Sequence, residues 1–486
     1  MQVKSLSQNR CARIRLLLGF FLATVVLSGC ATNPVTGDQD IVLMSEVQEI
    51  ELGRKSHIAI LKQYTRYEDL EIQAMVNRLG QKLAAQSHRS DLTFTFTVLD
   101  SPEVNAFALP GGYVYITRGI MAYLKSEEEL AGVLGHEIGH VTARHGVRQQ
   151  TAQMASGAFG MIIAVATGDA NLAKASNYAG AALVSGYGRS HELEADRLGA
   201  EYLARINYDP ESMLEVIGVL KDQELFARER ARETGETAPM GYHGVFSSHP
   251  ENDQRLQEVI VAAKKFQTTE PEKIDSAEYL NKLDGMTFGN SEVQGIVRKN
   301  AFFHRDLDLH LIFPDGWKLI NQPARLLGVS SDAKQLIQFV LGEANAGELK
   351  TYLRKAFPGL KSGQALGGDI YTGVSVLDSP WGKRKGRVAA VRHKSNVFIV
   401  MGVGQSTLSK SSFDATLQSI GRLSVEQRKL ARGKKIKLIR ARSGDTFASL
   451  AEQSNIDQFE VSTLRLLNDL YPDGELQVGQ YIKIVK

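Results

Sequence analysis

Two histidines four residues apart, with a glutamate beside the first, are the side chains best suited to chemistry: His136-Glu137-Ile138-Gly139-His140. On a helix, four residues turn about 400°, so both imidazoles fall on one face and can offer two nitrogens to one cation. Glu137 stands next to that cation without being required to bind it. Two nitrogen ligands and a carboxylate able to take a proton from a metal-activated water make up hydrolytic chemistry. In this HExxH arrangement it is the chemistry of peptide-bond cleavage. The competing reading, a helix with two unrelated surface histidines, fits poorly with the apolar residues on the opposite face.

A catalytic zinc needs a third protein ligand and an open position. His145 follows His140 by five residues, about 500° of helix, which points it roughly 140° away, so a structural role is expected for it. Ala143 and Gly146 stand where a metzincin would need Gly and His. Farther on, His191-Glu192-Leu193-Glu194-Ala195-Asp196 places Glu192 and Asp196 four apart on one face. One carboxylate could bind zinc while the other holds a ligand imidazole from behind. His191 and Glu194 are rival ligands in the same stretch.

The elements that must position these groups are legible around them. Ser126 and Glu129 fit a capping box, and Leu130, Val133, Leu134 and Val141 give the following helix an apolar face. Residues 45–85 have helical periodicity. Residues 92–99 (LTFTFTVL) alternate as a strand, and 104–117 read as a strand pair hinged at Pro110-Gly111-Gly112. A helix is expected over 192–206, with Asp209 and Pro210 opening another. Residues 151–189 are rich in Ala and Gly; their apolar run, 158–166, is too short to span a bilayer, so soluble helices are expected ahead of a mobile lid or a membrane-touching segment.

HExxH followed downstream by ExxxD resembles the peptidase family of the CAAX prenyl proteases, the HtpX heat-shock membrane proteases and the periplasmic outer-membrane-assembly proteases. The resemblance covers roughly residues 35–265. It implies one zinc ion held by His136, His140 and Glu192, with Glu137 as general base and Asp196 behind a ligand. Ser248-His249-Pro250 and Arg255 resemble that family's His-Pro segment, which implies that His249 approaches the metal and Arg255 supports the site. Asn105, Ala106 and Phe107 match the family's strand before the zinc helix, which implies an open edge for an extended substrate.

Beyond residue 270 the character changes. Strand-like runs at 307–313, 336–341, 387–393 and 397–403, the last two broken by Lys394-Ser395-Asn396, indicate an α+β unit without a chemical constellation. Its segment 306–317 (DLDLHLIFPDGW) faintly resembles PsbP-like domains. A basic stretch, 428–437, leads to residues 438–486. There Ser443-Gly444-Asp445-Thr446, Leu450-Ala451, Leu467-Asn468 and Gly479-Gln480 resemble a LysM module, implying a small βααβ fold and peptidoglycan as a partner. Gly444-Asp445 suits a tight turn and N-cap, and Leu450, Leu467 and Ile482 a small core.

The N-terminus reads as a leader. Lys4, Arg10, Arg13 and Arg15 precede an apolar stretch of 12 residues, 16–27, that ends in Leu27-Ser28-Gly29-Cys30. This looks like a bacterial lipobox, with Cys30 as the acylated residue and Ala31, not Asp, after it, which by resemblance favours the outer membrane. Several acyl chains make a lasting anchor. Taking four basic residues from the chain's 57 leaves 53 against 54 acidic ones, so net charge gives no support to a nucleic-acid partner. Loss of Cys11 with the leader and acylation of Cys30 would leave no disulfide and no thiolate zinc site.

The expected architecture is multidomain: leader 1–29, tether 30–44, a mainly α, α+β zincin-type metallopeptidase domain 45–268, an α+β domain 269–427, and the βααβ LysM-like module 438–486. The expected function is a zinc-dependent endopeptidase on the periplasmic face of the outer membrane, acting on misfolded or misassembled envelope proteins. The alternative is a non-proteolytic envelope chaperone or peptidoglycan-binding factor.

Overall fold

The computed structural model describes residues 30–486 except 33, 36, 38, 43, 152–189, 236–251, 268, 272–273, 323–324 and 345–346. The leader and the Ala/Gly-rich segment expected to be helical therefore lie outside the described residues, save for Thr151. Among the described residues no helix is long and apolar enough to cross a membrane. Cys30–Thr32 pairs antiparallel with Gln39–Ile41.

The helical stretch 45–85 is two helices. Glu46–Gln63 starts at a capping box between Ser45 and Gln48, and Leu70–Ala84 starts at Asp69, whose carboxylate accepts from the amides of Glu71 and Ile72. The second helix buries Ile72, Met75, Val76, Leu79 and Leu83, the three- and four-residue steps of one face. Beneath it lies a three-stranded sheet in which Thr95–Leu99 runs parallel to Tyr113–Thr117, itself antiparallel to Ala106–Leu109. The hairpin turns at Gly111 (φ +79°) and Gly112 (φ +92°), backbone that side-chain-bearing residues rarely adopt. Ala106–Leu109 is left at the sheet's edge.

The motif helix, Glu127–Thr142, runs through the centre of this domain and is buried along nearly its whole length. Ser126 caps it by accepting from Glu129 N at 3.1 Å. The capping box is only half formed, because the Glu129 carboxylate accepts from Lys125 N, one residue before the cap. Residues 190–205 form the helix that carries Glu192 and Asp196. The helix expected to open at Asp209-Pro210 starts instead at Ser212 and runs to Thr234; Asp209 takes the amide of Glu211 in the turn before it.

Residues 318–404 build a seven-stranded antiparallel sheet in the order 318–322, 325–329, 335–341, 396–404, 384–393, 370–377, 361–365. Its central strands are buried on both faces. Ala389, Val391, Phe398 and Val400 pack with Phe413 and Leu417 of helix Lys410–Gln418, while Val388, Ala390 and Val397 pack with Leu349 and Leu353 of helix Leu349–Ala356. The hairpin break at 394–396 turns through Lys394 at φ +56°.

The C-terminal unit is a βααβ arrangement: strand Lys434–Arg440, helices Phe447–Glu452 and Glu460–Leu467, and strand Tyr481–Val485. Thr446, not Asp445, caps its first helix. Asp445 instead accepts from Arg442 N across the turn at Gly444. Leu450, Leu464, Ile482 and Ile484 fill its core. The unit is not an appendage. Ile436, Leu467 and Val485 belong to the same apolar cluster as Leu130 and Leu134 of the motif helix, and strand Thr287–Phe288 pairs with Lys434–Lys435. The Lys483 ammonium is buried and donates to the carbonyls of Ala122 at 2.7 Å and Leu124 at 2.8 Å.

Candidate active site

His136 and His140 project from the motif helix toward the helix over 190–205. The two helices approach closely because small residues face each other. A Cβ on Gly139 would lie 2.9 Å from the Ala195 carbonyl oxygen, and one on Gly199 would lie 2.9 Å from His136 N. That approach brings three donors together: His136 Nε2 lies 3.0 Å from His140 Nε2 and 3.4 Å from Glu192 Oε2, and His140 Nε2 lies 3.6 Å from Glu192 Oε1. Four ligands at zinc's usual bond lengths stand about 3.3 Å apart at the corners of a tetrahedron, so the three donors fit that ion. Their chemistry, two imidazole nitrogens and a carboxylate, also suits it.

The side chains around this triangle favour positive charge at its centre. His136 is fully buried, which lowers its pKa, yet its hydrogen bonds to Asp196 and Glu192 push it up to about 10. Glu192 is held well below the ordinary carboxylate range; burial opposes this, but His136 and His140 outweigh it. A pocket that favours an imidazolium is one that favours a cation in its place. Glu137 is buried, and burial raises its carboxyl above the ordinary value, against the pull of His140 and His136. That direction suits a group that must accept a proton and hold it.

Each imidazole is braced from behind. Asp196 Oδ1 lies 2.8 Å from His136 Nδ1. His140 Nδ1 meets His145 Nδ1 at 2.9 Å, and His145 Nε2 meets Glu194 Oε2 at 3.1 Å. Helical projection aims His145 away from His140, but the motif helix stops at Thr142. Arg144 turns in the left-handed region (φ +55°), and a new helical segment, 145–151, begins at His145. The 100°-per-residue rule does not carry across that break. Of the rival ligands, Glu194 is engaged with His145 and Arg148, and His191 stacks on His145 with ring centroids 4.2 Å apart. Burial lowers the His191 pKa to about 3.

Ala106–Leu109 forms the edge of the small sheet beside the motif helix. Asn105 precedes it, with its backbone bonded to Thr117, and Phe107 stacks on Tyr115 at 4.7 Å. His249 lies outside the described residues. Arg255 is on helix Asn252–Ala263.

Sequence reasoning missed a second buried set. Glu49 receives Arg89 at 2.7 Å and Arg144 at 2.8 Å, fastening the first helix to the end of the motif helix. Three charged residues so far apart in sequence carry no local signal of pairing.

Residues 71–261 match peptidase family M48, and residues 439–485 match the LysM domain. The chain is 36% identical over 162 residues to a putative beta-barrel assembly-enhancing protease of Vibrio cholerae, covering 31% of this chain and 33% of that protein. It is 33% identical over 163 residues to the beta-barrel assembly-enhancing protease of Escherichia coli K12, again 31% and 33%. It is 30% identical over 185 residues to the mitochondrial metalloendopeptidase OMA1 of Schizosaccharomyces pombe, covering 38% of this chain and 51% of that one. The chain thus spans about a third of the bacterial relatives it matches and half of the fungal one.

Proposed function

For a chain that carries a peptidase family M48 domain followed by a LysM domain, we propose the function of a zinc-dependent endopeptidase of the bacterial cell envelope, cutting misfolded or misassembled envelope proteins. The observation that carries this reading is the convergence of His136, His140 and Glu192 within 3.0 to 3.6 Å of one another, with Glu137 buried beside them. These three residues would hold the ion. When bound there, zinc supplies a Lewis acid that polarises the scissile carbonyl and lowers the pKa of water.

Glu137 accepts a proton from the attacking water as its oxygen bonds to the carbonyl carbon. The carboxyl then returns that proton to the departing amine as the C–N bond breaks. Asp196 holds the His136 ring in the tautomer that leaves Nε2 free to bind. The edge strand Ala106–Leu109 receives substrate by main-chain pairing, which tolerates many sequences and so suits a protease of damaged proteins. His249 donates to the developing oxyanion, with Arg255 supporting the charge.

The lipobox-like Leu27–Cys30 supports a lipid anchor at Cys30 and an outer-membrane location facing the periplasm. The LysM match supports contact with peptidoglycan. The names of the bacterial relatives, beta-barrel assembly-enhancing proteases, support substrates among outer-membrane proteins under assembly.

The decisive experiment compares the purified wild type with Glu137→Gln for zinc content and for cleavage of an unfolded protein. The variant should keep its zinc and lose at least about 100-fold in rate. Undiminished cleavage overturns the mechanism.

A further inference from the structure

We infer that His145 and Glu194 are positioning residues for the metal site, acting as a relay that fixes the tautomer and orientation of His140. The inference rests on the reading of His140 as a zinc ligand.

The relay follows from counting protons along a chain of hydrogen bonds. His140 Nε2 points into the triangle with His136 and Glu192, so to bind a cation it must carry a lone pair. The ring's one proton then sits on Nδ1. Nδ1 faces His145 Nδ1 at 2.9 Å, so the His145 nitrogen must be the acceptor. The His145 proton is then on Nε2, which faces Glu194 Oε2 at 3.1 Å, a group that only accepts when ionised. Arg148 Nη1 donates to the same carboxylate oxygen at 2.9 Å, so that oxygen serves as an acceptor from both sides. Every bond in the chain runs in one direction, from His140 to Glu194.

The surroundings hold the relay in place. His145 is buried and sandwiched against His191, whose ring lies nearly parallel at 11°. Arg144 in the left-handed region is what swings His145 back toward the site. The two ligand imidazoles are therefore braced by different chemistry. His136 is backed directly by a carboxylate, Asp196, whereas His140 is backed by a carboxylate acting through an interposed imidazole.

The test is the zinc dissociation constant of the full-length chain, measured by chelator competition, with thermal unfolding of the metal-free proteins as the check on folding. His145→Leu, which removes the acceptor, should weaken zinc binding about 10–100-fold. His145→Asn, whose side-chain oxygen can occupy the Nδ1 position, should recover most of that loss. Glu194→Ala should weaken binding severalfold and stands in for His145→Leu should that variant fail to fold. Leu and Asn variants that bind zinc as the wild type does, or that lose affinity equally, overturn the relay while leaving the ligand set intact. A wild type that does not bind zinc overturns the ligand set itself, and the relay with it.

Discussion

Asp196 Oδ1 lies 2.8 Å from Nδ1 of His136, on the nitrogen opposite the one that faces His140 and Glu192. Asp196 follows Glu192 by one helical turn, so a single helix supplies both a donor to the triangle and the brace for another donor. Replacing Asp196 by Ala removes its hydrogen bond to His136 Nδ1 and loosens the hold on the ring. Zinc affinity should fall about 10–100-fold, read by chelator competition, with the metal-free fold retained. Unchanged affinity would refute the bracing role.

The helix crossing depends on Gly199. A Cβ there would stand 2.9 Å from His136 N and 3.1 Å from Gly135 C, backbone atoms that cannot swing away. Gly199→Ala should therefore push the helices apart, costing about 1–3 kcal/mol of stability and weakening zinc binding with it. Gly218→Ala is the control: nothing lies within 4 Å of its Cβ, and in a helix it should stabilise by about 0.5–1 kcal/mol. Thermal unfolding of both variants checks the pair.

Deleting residues 434–486 should destabilise the peptidase domain and not merely remove a binding module. Ile436, Leu467 and Val485 complete its apolar core, each contributing about 1.5–3 kcal/mol on burial. The same deletion removes Asp469 from Lys125, which pairs with it at 2.7 Å, and leaves the longer contacts to Glu129 at 3.6 Å and Glu215 at 3.7 Å. The truncated chain should be degraded far faster in limited proteolysis than the full chain. Equal resistance would show the two units to be independent.

Lys483 makes that interface sensitive to pH. Burial pulls its pKa down to about 7 from the ordinary 10.5, with Glu129 and Asp469 opposing. Between those two values the unfolded chain holds the proton and the folded chain does not. Rising pH through that window therefore favours the folded state, by at most about 1.4 kcal/mol per pH unit. Below about pH 7 the Lys483 proton is bound in both states and its own contribution to the dependence vanishes. The wild type should gain melting temperature relative to Lys483→Met as pH rises from 7 to 10.5. A pH-independent difference would refute the assignment.

Much of the site was legible because its spacing is local. His136, Glu137 and His140 share one helix, and Glu192 and Asp196 share another, so the four-residue repeat alone places each set on one face. The strands at 95–99, 106–109 and 113–117 were likewise legible from alternation and from the paired glycines between them. The role of His145 was not. Its position depends on where the motif helix ends, and Arg144 at φ +55° breaks the periodicity on which the projection relied. The Glu49–Arg89–Arg144 network was illegible for a different reason: it joins positions 40 and 95 residues apart in sequence, so no local pattern marks it.

The sequence by itself determined which residue types stand in a pattern that could do chemistry: two imidazoles and carboxylates with the spacing of metal ligands, and a glutamate beside them. The tertiary structure decided which of the several carboxylates and histidines near residue 191 faces the pair on the motif helix. It also decided that the C-terminal unit is built into the peptidase core. Helix periodicity fixes directions within one element, but distances between elements are set by packing. Here that packing is the close crossing of Gly135, Gly139, Ala195 and Gly199, where the lack of bulk lets two backbones meet and their side chains converge.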